Sequence, residues 1–225
     1  MALIEAREVS KVYEIDARRV AVLDRVSLAV AAGEFLVIEG ASGSGKTTLL
    51  SIVSGLDRPS AGRVLFDGRD ITDLDEDALA PLRTAAVGFV FQNFHLVPSL
   101  SVLENVMFPA ELAGDPAARE KSLALLERVG LAERAQSFPH QLSGGEKQRT
   151  AICRALVNGP RALFADEPTG NLDSANGAAV LALLLELRRE RGATLVLVTH
   201  NREMAGRADR VVTLRDGRIV DAAGG

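Results

Sequence analysis

The sequence predicts an α/β fold: a parallel central sheet covered by helices, with an inserted α-helical subdomain and a small antiparallel β layer. Three observations carry that prediction. Short continuous apolar runs alternate with longer stretches of helical period; a proline-punctuated stretch of about 93–158 lacks strand signals; and two Asp-Gly pairs stand between short apolar segments.

Along the chain, the strand candidates are 35–39, 87–91, 162–166 and 193–199, the last reading A-T-L-V-L-V-T with no helical period. Helix candidates cover 46–54, 117–129, 144–157 and 175–191. In the last of these, Val180, Leu183, Leu184 and Leu187 follow the i, i+3, i+4, i+7 rule, so that stripe is expected against the sheet. Asp67-Gly68 joins 64–66 to 69–71, and Asp216-Gly217 joins 211–214 to 218–220; both pairs suit the positive φ angles of a two-residue hairpin turn. Pro98, Pro109, Pro116 and Pro139 punctuate the helical insertion. With no flexible linker or internal repeat, residues 1–225 are expected to form one domain.

Composition narrows the function. A chain of 225 residues with 47% apolar and 25% charged residues can bury a core of its own. Its 20 glycines and 8 prolines follow no short repeat, and no apolar run approaches the roughly 18 residues that cross a bilayer, which argues against a collagenous, low-complexity or integral membrane chain. The opening Met1 to Lys11 alternates charged and apolar residues, so no secretory leader and a cytosolic location are expected. Cys153 is the lone cysteine, which excludes an internal disulfide and a cysteine zinc cluster. A net charge of −4 disfavours a broad nucleic-acid surface, and no nucleic-acid partner is expected. Only 4 lysines stand against 22 arginines, so a lysine in a polar glycine loop draws notice: Lys46.

That lysine closes Gly40-Ala41-Ser42-Gly43-Ser44-Gly45-Lys46-Thr47, which satisfies G-x-x-x-x-G-K-[ST] between a strand and a helix, where the mechanism needs it. Glycines let backbone N–H groups wrap a β-phosphate at dihedral angles that side chains resist. The following helix N-terminus adds partial positive charge. Lys46 then reaches β- and γ-phosphates, and the Thr47 hydroxyl suits Mg²⁺. A second acidic position belongs beside such a loop, and the apolar run 162–165 ends in Asp166-Glu167. Successive strand side chains point opposite ways, so the two acids divide their roles: Asp166 suits the metal and Glu167 suits polarising a water. Leu142-Ser143-Gly144-Gly145-Glu146-Lys147-Gln148-Arg149 opens a further helix with a capping serine and two bare glycine amides. A second phosphate seat and a plain capping box, Ser143 with Glu146, both fit.

Taken together, these motifs resemble the nucleotide-binding subunit of an ABC transporter, a P-loop NTPase, over nearly the whole chain, with L-S-G-G-E its most specific mark. The resemblance implies that 40–47 is the Walker A loop, flanked by Thr48 as a further nucleotide contact, that Asp166 is the Walker B aspartate and that Glu167 is the catalytic glutamate. It implies a homodimer closed by two ATP molecules, in which Ser143, Gly144, Gly145 and Glu146 of one copy face the γ-phosphate held by the other. By the same matching Tyr13 stacks on adenine, against the alternative of a strand-packing residue. Gln92 touches Mg²⁺ and the attacking water. Asn171-Leu172-Asp173 is the D-loop, against an ordinary capping turn, and His200 is the switch histidine. His95 and His140 receive no role.

Within the family, 88–98, 103–106 and 165–173 are similar to the lipoprotein-releasing, macrolide-exporting and cell-division ATPases, a branch that works by mechanotransmission. Ala41, Thr47 and Cys153 depart from that branch without removing a catalytic group. The resemblance implies ATP hydrolysis that drives a transmembrane permease, with the chain peripheral on the inner face of the membrane. The loop 93–103, rich in Phe94, Leu96, Val97 and Leu100, is expected to be an apolar edge where the permease docks, against the alternative of core packing. The alternative function is a regulatory module coupling dimer closure to a membrane partner. A GTPase is disfavoured because no asparagine precedes a lysine, and a chromosome-organising ATPase because no coiled coil is present.

Overall fold

The computed structural model describes residues 2–16, 18–200 and 202–224. In chain order the elements are β1 (Ala2–Ile15), β2 (Arg18–Ala31), β3 (Phe35–Glu39), α1 (Lys46–Val53), β4 (Ala61–Phe66), β5 (Arg69–Asp70), α2 (Glu76–Ala86) and β6 (Val87–Phe91). They continue with α3 (Val102–Leu112), α4 (Ala118–Arg128), α5 (Gly144–Leu156), β7 (Ala162–Asp166), α6 (Ser174–Arg191), β8 (Thr194–Val198), α7 (Arg202–Ala205), β9 (Arg210–Arg215) and β10 (Arg218–Gly224). The chain divides into two compact units, Met1–Ala80 with Thr194–Gly225, and Pro81–Ala193.

In the first unit, β3 lies between β8 and β9, parallel to both, and β10 pairs antiparallel with β9. Leu36, Val37 and Ile38 are fully buried, as are Leu195 to Val198, which is why their sequences read as continuous apolar runs: strands covered on both faces have no polar side to show. The α1 side chains Leu49, Leu50, Ile52 and Val53 are also buried. A second, antiparallel sheet runs in the order β2-β1-β4-β5. The expected Asp-Gly turns are both there, with Asp67 and Gly68 at φ 52° and 75° and Asp216 and Gly217 at 47° and 73°, the doubly positive pattern of a type I′ turn.

β1 and β2 were not expected, and the reason lies in their bulges. Each is 14 residues long, but the pairing shifts register between Ala6 and Val9 and again between Val9 and Lys11. At those shifts Glu8 and Arg25 turn to φ 51° and 48°. The Glu8 N–H donates to Ser27 Oγ at 3.0 Å and the Arg25 N–H to Ser10 Oγ at 2.9 Å, so two serine hydroxyls satisfy amides that the ladder releases. Each bulge resets the two-residue alternation, and the hydrophobic pattern loses phase with it.

In the second unit, β6 and β7 are parallel, with Phe89 stacked on Phe91 and, at 6.1 Å between centroids, on the buried Phe164. Helices α3, α4 and α5 lie within the stretch of about 93–158 read as helical, α6 covers the separate helix candidate 175–191, and α2, which enters this unit at Pro81, was not anticipated. On α6 the buried stripe is Gly177, Val180, Leu181, Leu184 and Leu187; Leu183 is only half-buried, which corrects the expected face by one position. Helix α5 presses closely on β6: a Cβ added to Gly88 would lie 2.2 Å from the Ala155 carbonyl oxygen. No helix among the described residues is long and apolar enough to cross a membrane.

Two outcomes follow for this core. Gly88→Ala forces strand and helix apart and is expected to lower stability by about 3 kcal/mol in urea unfolding; a midpoint equal to that of the parent would refute the close contact. Cys153 is fully buried, and burial pushes its thiol up to about 12 against the opposing charges of Arg191 and Arg149. The folded protein at pH 8 should therefore leave a thiol-disulfide reagent unreacted until denaturant is added, whereas rapid labelling would show the site to be open.

Candidate nucleotide-binding site

The glycine loop of the first unit is shaped by its neighbours. A Cβ on Gly40 would lie 2.2 Å from the Leu214 carbonyl oxygen, and one on Gly45 would lie 2.8 Å from the Val22 carbonyl oxygen and 2.9 Å from Leu23 Cδ2. Gly45 is also left-handed, at φ 101°, a conformation side chains resist. The Gly217 N–H donates to Ser44 O at 3.1 Å, tying the loop to the β9–β10 turn. Gly45 caps α1 without any side-chain hydrogen bond, and the first turn of α1 carries no acid. A helix start without a side-chain cap and without an acid in its first turn fits an anion. Ser44 Oγ is buried without a partner, and Lys46 Nζ donates to Gly40 O and Ala41 O at 2.9 Å each. Ala41, Ser42 and Gly43 form the exposed crest of the loop.

Tyr13 stands beside this loop. Its hydroxyl donates to Asp57 Oδ2 at 2.9 Å and hydrogen-bonds with the Thr48 side chain, while Lys11 Nζ lies 4.9 Å from the ring centroid and donates to Asp57 Oδ1 at 2.7 Å. Burial, with the bond to Asp57, raises the Tyr13 phenol. Burial alone would push the Asp57 carboxyl up, but the donors Lys11, Tyr13 and the Arg58 N–H outweigh it and hold it below the usual carboxylate range. Lys11 and Asp57 escaped the sequence reading; the only signal was Lys11 two residues from Tyr13 on one strand face. His200 follows Thr199 at the exit of β8 and is exposed.

The second unit holds Gln92, Asp166, Glu167 and the Ser143 helix start. Asp166 ends β7, and Glu167 turns to φ 44° directly before Pro168, a backbone state that a residue preceding proline disfavours. The Gly170 N–H closes the turn on Glu167 O at 3.0 Å. Gln92 is exposed, and its amide packs on Gly170, where an added Cβ would lie 2.6 Å from Gln92 Nε2. Asn171 Nδ2 donates to Gln92 O at 3.0 Å. Asp173 caps α6, accepting from the Asn176 N–H at 3.0 Å. Ser143 and Glu146 form the full capping box, with the Ser143 N–H and Oγ both 2.8 Å from Glu146 Oε2. The Ser143 N–H and hydroxyl hold the Glu146 carboxyl below its ordinary range, helped by Arg134 at 3.2 Å. Gly144 and Gly145 are not forced by their own chain: a Cβ on Gly145 would meet nothing closer than 3.5 Å, and one on Gly144 only the tip of Leu172 at 3.0 Å.

Residues 23–170 match the ABC transporter family. The chain belongs to the ABC transporter family. Among solved structures, a post-hydrolysis dimer of an ATP-binding cassette bound to ADP and Pi superposes with a TM-score of 0.90 at 39% identity, covering 98% of both chains. A dimeric bacterial ABC transporter cassette gives the same TM-score of 0.90 at 40% identity. This cassette is also 54% identical over 97% of its length to the pyoverdine export ATP-binding/permease protein PvdT of Pseudomonas putida. It is 50% identical over its full length to the macrolide export ATP-binding/permease protein MacB of Syntrophobacter fumaroxidans. The chain spans about a third of the length of these curated relatives, 34% and 32%. The fold is that of the family's ATPase cassette, as the sequence predicted.

Gly170→Ala tests the seat of Gln92 without requiring a left-handed backbone, and the three atoms nearest the added methyl all belong to that side chain. ATP turnover should fall about tenfold with the thermal midpoint unchanged; full turnover would show that Gln92 does not need this seat.

Proposed function

We propose that this cassette binds and hydrolyses ATP as a homodimer and thereby drives a transmembrane permease by mechanotransmission, in the manner of an exporter. The observation that carries the reading is the glycine loop: neighbours on two sides forbid a side chain at Gly40 and Gly45, and an uncapped helix start follows. Residues 1–225 act as one cassette domain, with about 93–158 as its helical insertion. The loop amides of Gly40, Ala41, Ser42, Gly43, Ser44 and Gly45 and the Lys46 ammonium bind the β- and γ-phosphates. Tyr13, held by Asp57, stacks on adenine with the face opposite Lys11, and Thr48 lines the same side. The hard oxygens of Thr47, Asp166 and Gln92 fit Mg²⁺, which when bound neutralises charge on the β- and γ-phosphoryl oxygens.

Glu167 takes a proton from water as the water oxygen bonds the γ-phosphorus and the bond to the leaving ADP oxygen breaks. Its strained backbone supports that role, because such strain persists where position matters more than local energy. Gln92 orients the same water and His200 hydrogen-bonds the γ-phosphate. The partner copy presents Ser143, Gly144 and Gly145 to that phosphate. Gly145 supports this seat, since no atom of its own chain requires a glycine there. Glu146 serves the seat by fixing Ser143, and Asp173 lies at the seam between copies.

On the permease side, Val97 is 38% exposed and Phe94, Leu96 and Leu100 are half-buried, while α3 exposes Phe108 (45%) and Leu112 (67%) one turn apart. Such an apolar edge suits a cytoplasmic element of a membrane partner and supports attachment at the inner face of the membrane. Export of pyoverdine or of macrolides is what the relatives' names state; the cargo here is proposed as a substrate of an export or release system of that kind.

Glu167→Gln should release phosphate at least about a hundredfold more slowly while still binding ATP. With ATP it should elute as a dimer, and the parent without nucleotide as a monomer. Turnover that survives the substitution, or one elution volume for both samples, contradicts the reading.

A further inference from the structure

Gln92 leads into a loop with an unfavourable backbone. Phe94 and His95 are consecutive non-glycine residues in the left-handed region, at φ 61° and 47°. A bulky aromatic resists that region, and two such residues in succession persist only where surroundings over-determine them. Within the loop, the Phe94 N–H donates to Phe91 O at 3.3 Å and the His95 N–H to Asn93 O at 2.6 Å. The His95 ring meets the Phe91 ring edge-on, 4.7 Å between centroids.

One side chain from outside grips both residues at once. Arg154, on the last turn of α5, donates from Nη1 to His95 O and from Nη2 to Phe94 O, the latter at 2.8 Å. Its guanidinium is half-buried, and no carboxylate among the described residues pairs with it. A shielded charge without a counter-ion is costly, so its compensation is these two main-chain carbonyls. The same helix reaches the start of the loop as well, where the fully buried Gln148 donates to Phe91 O at 3.5 Å. Helix α5, capped by Ser143, therefore touches the loop on both sides of Gln92.

We propose that Arg154 is a positioning residue for hydrolysis: its two-pronged grip locks the Phe94–His95 kink and so fixes where Gln92 presents its amide. The proposal rests on the reading of Gln92 as a contact of the attacking water. A guanidinium is required because its planar fork serves two carbonyls of adjacent residues together, whereas an ammonium serves them one at a time.

The test compares hydrogen exchange and steady-state ATP hydrolysis in the full chain carrying Arg154→Ala or Arg154→Lys. In Arg154→Ala, exchange over residues 92–97 should accelerate about tenfold while β7 and the body of α5 keep parental protection. The kcat should fall about tenfold with KM for ATP within about twofold, because the phosphate loop is untouched. Arg154→Lys should fall between parent and alanine in both readouts. Unchanged exchange over 92–97, or acceleration spread evenly over the second unit with kcat and stability falling together, overturns the proposal. So does failure of both variants to fold, which would make Arg154 a fold residue. A parent chain that releases no phosphate would instead refute hydrolysis, and the exchange data would still decide whether Arg154 holds the kink.

Discussion

Polyphosphate charge is met best by many main-chain N–H groups converging on one point, and side chains on those residues would keep the anion out. The architecture around residues 40–47 answers that constraint. The Leu214 carbonyl on β9 and the Val22 carbonyl on β2 occupy the space where side chains at Gly40 and Gly45 would extend. The Gly217 turn bonds Ser44 from behind. Strands β2 and β9 thus act as the mould of the loop. A mutation at Val22 or Leu214 that shifts the backbone would reach the proposed phosphate loop without changing any of its residues.

Glycines separate two kinds of demand in this chain. At Gly40, Gly45 and Gly88 the crowding comes from inside the molecule. At Gly145 it does not, which accords with the seat proposed there for the partner's phosphate. Left-handed backbones without glycine occur in turns and bulges, at Glu8, Asp16, Arg25, Asp67 and Asp216, and also at Glu167, Phe94 and His95, beside residues assigned to hydrolysis.

Much of this was legible in the sequence because the signals were local. β3, β6 and β7 lie at the predicted residues, since strands buried on both faces have continuous apolar sequences, and the phosphate loop is a contiguous motif. What escaped was either out of phase or long-range. The bulges at Glu8 and Arg25 broke the alternation that would have revealed β1 and β2. Asp57 meets Tyr13 across 44 residues, and Arg154 meets Phe94 across 60; no periodicity encodes such pairs. The capping box at Ser143 was read and is formed, so one serine satisfies its own helix and remains at the mouth of the proposed seat.

The central claim is that ATP is held between the loop of one copy and the Ser143 helix of its partner. Mixing two disabled chains tests it most directly: Lys46→Ala, which loses the loop, and Gly145→Asp, which places an acid in the opposing seat. Each should be silent alone, and the equimolar mixture should regain about a quarter of parental phosphate release, since half the dimers are mixed and each of these has one intact site of two. A mixture as silent as its components, or Gly145→Asp alone working at the parental rate, would contradict the account.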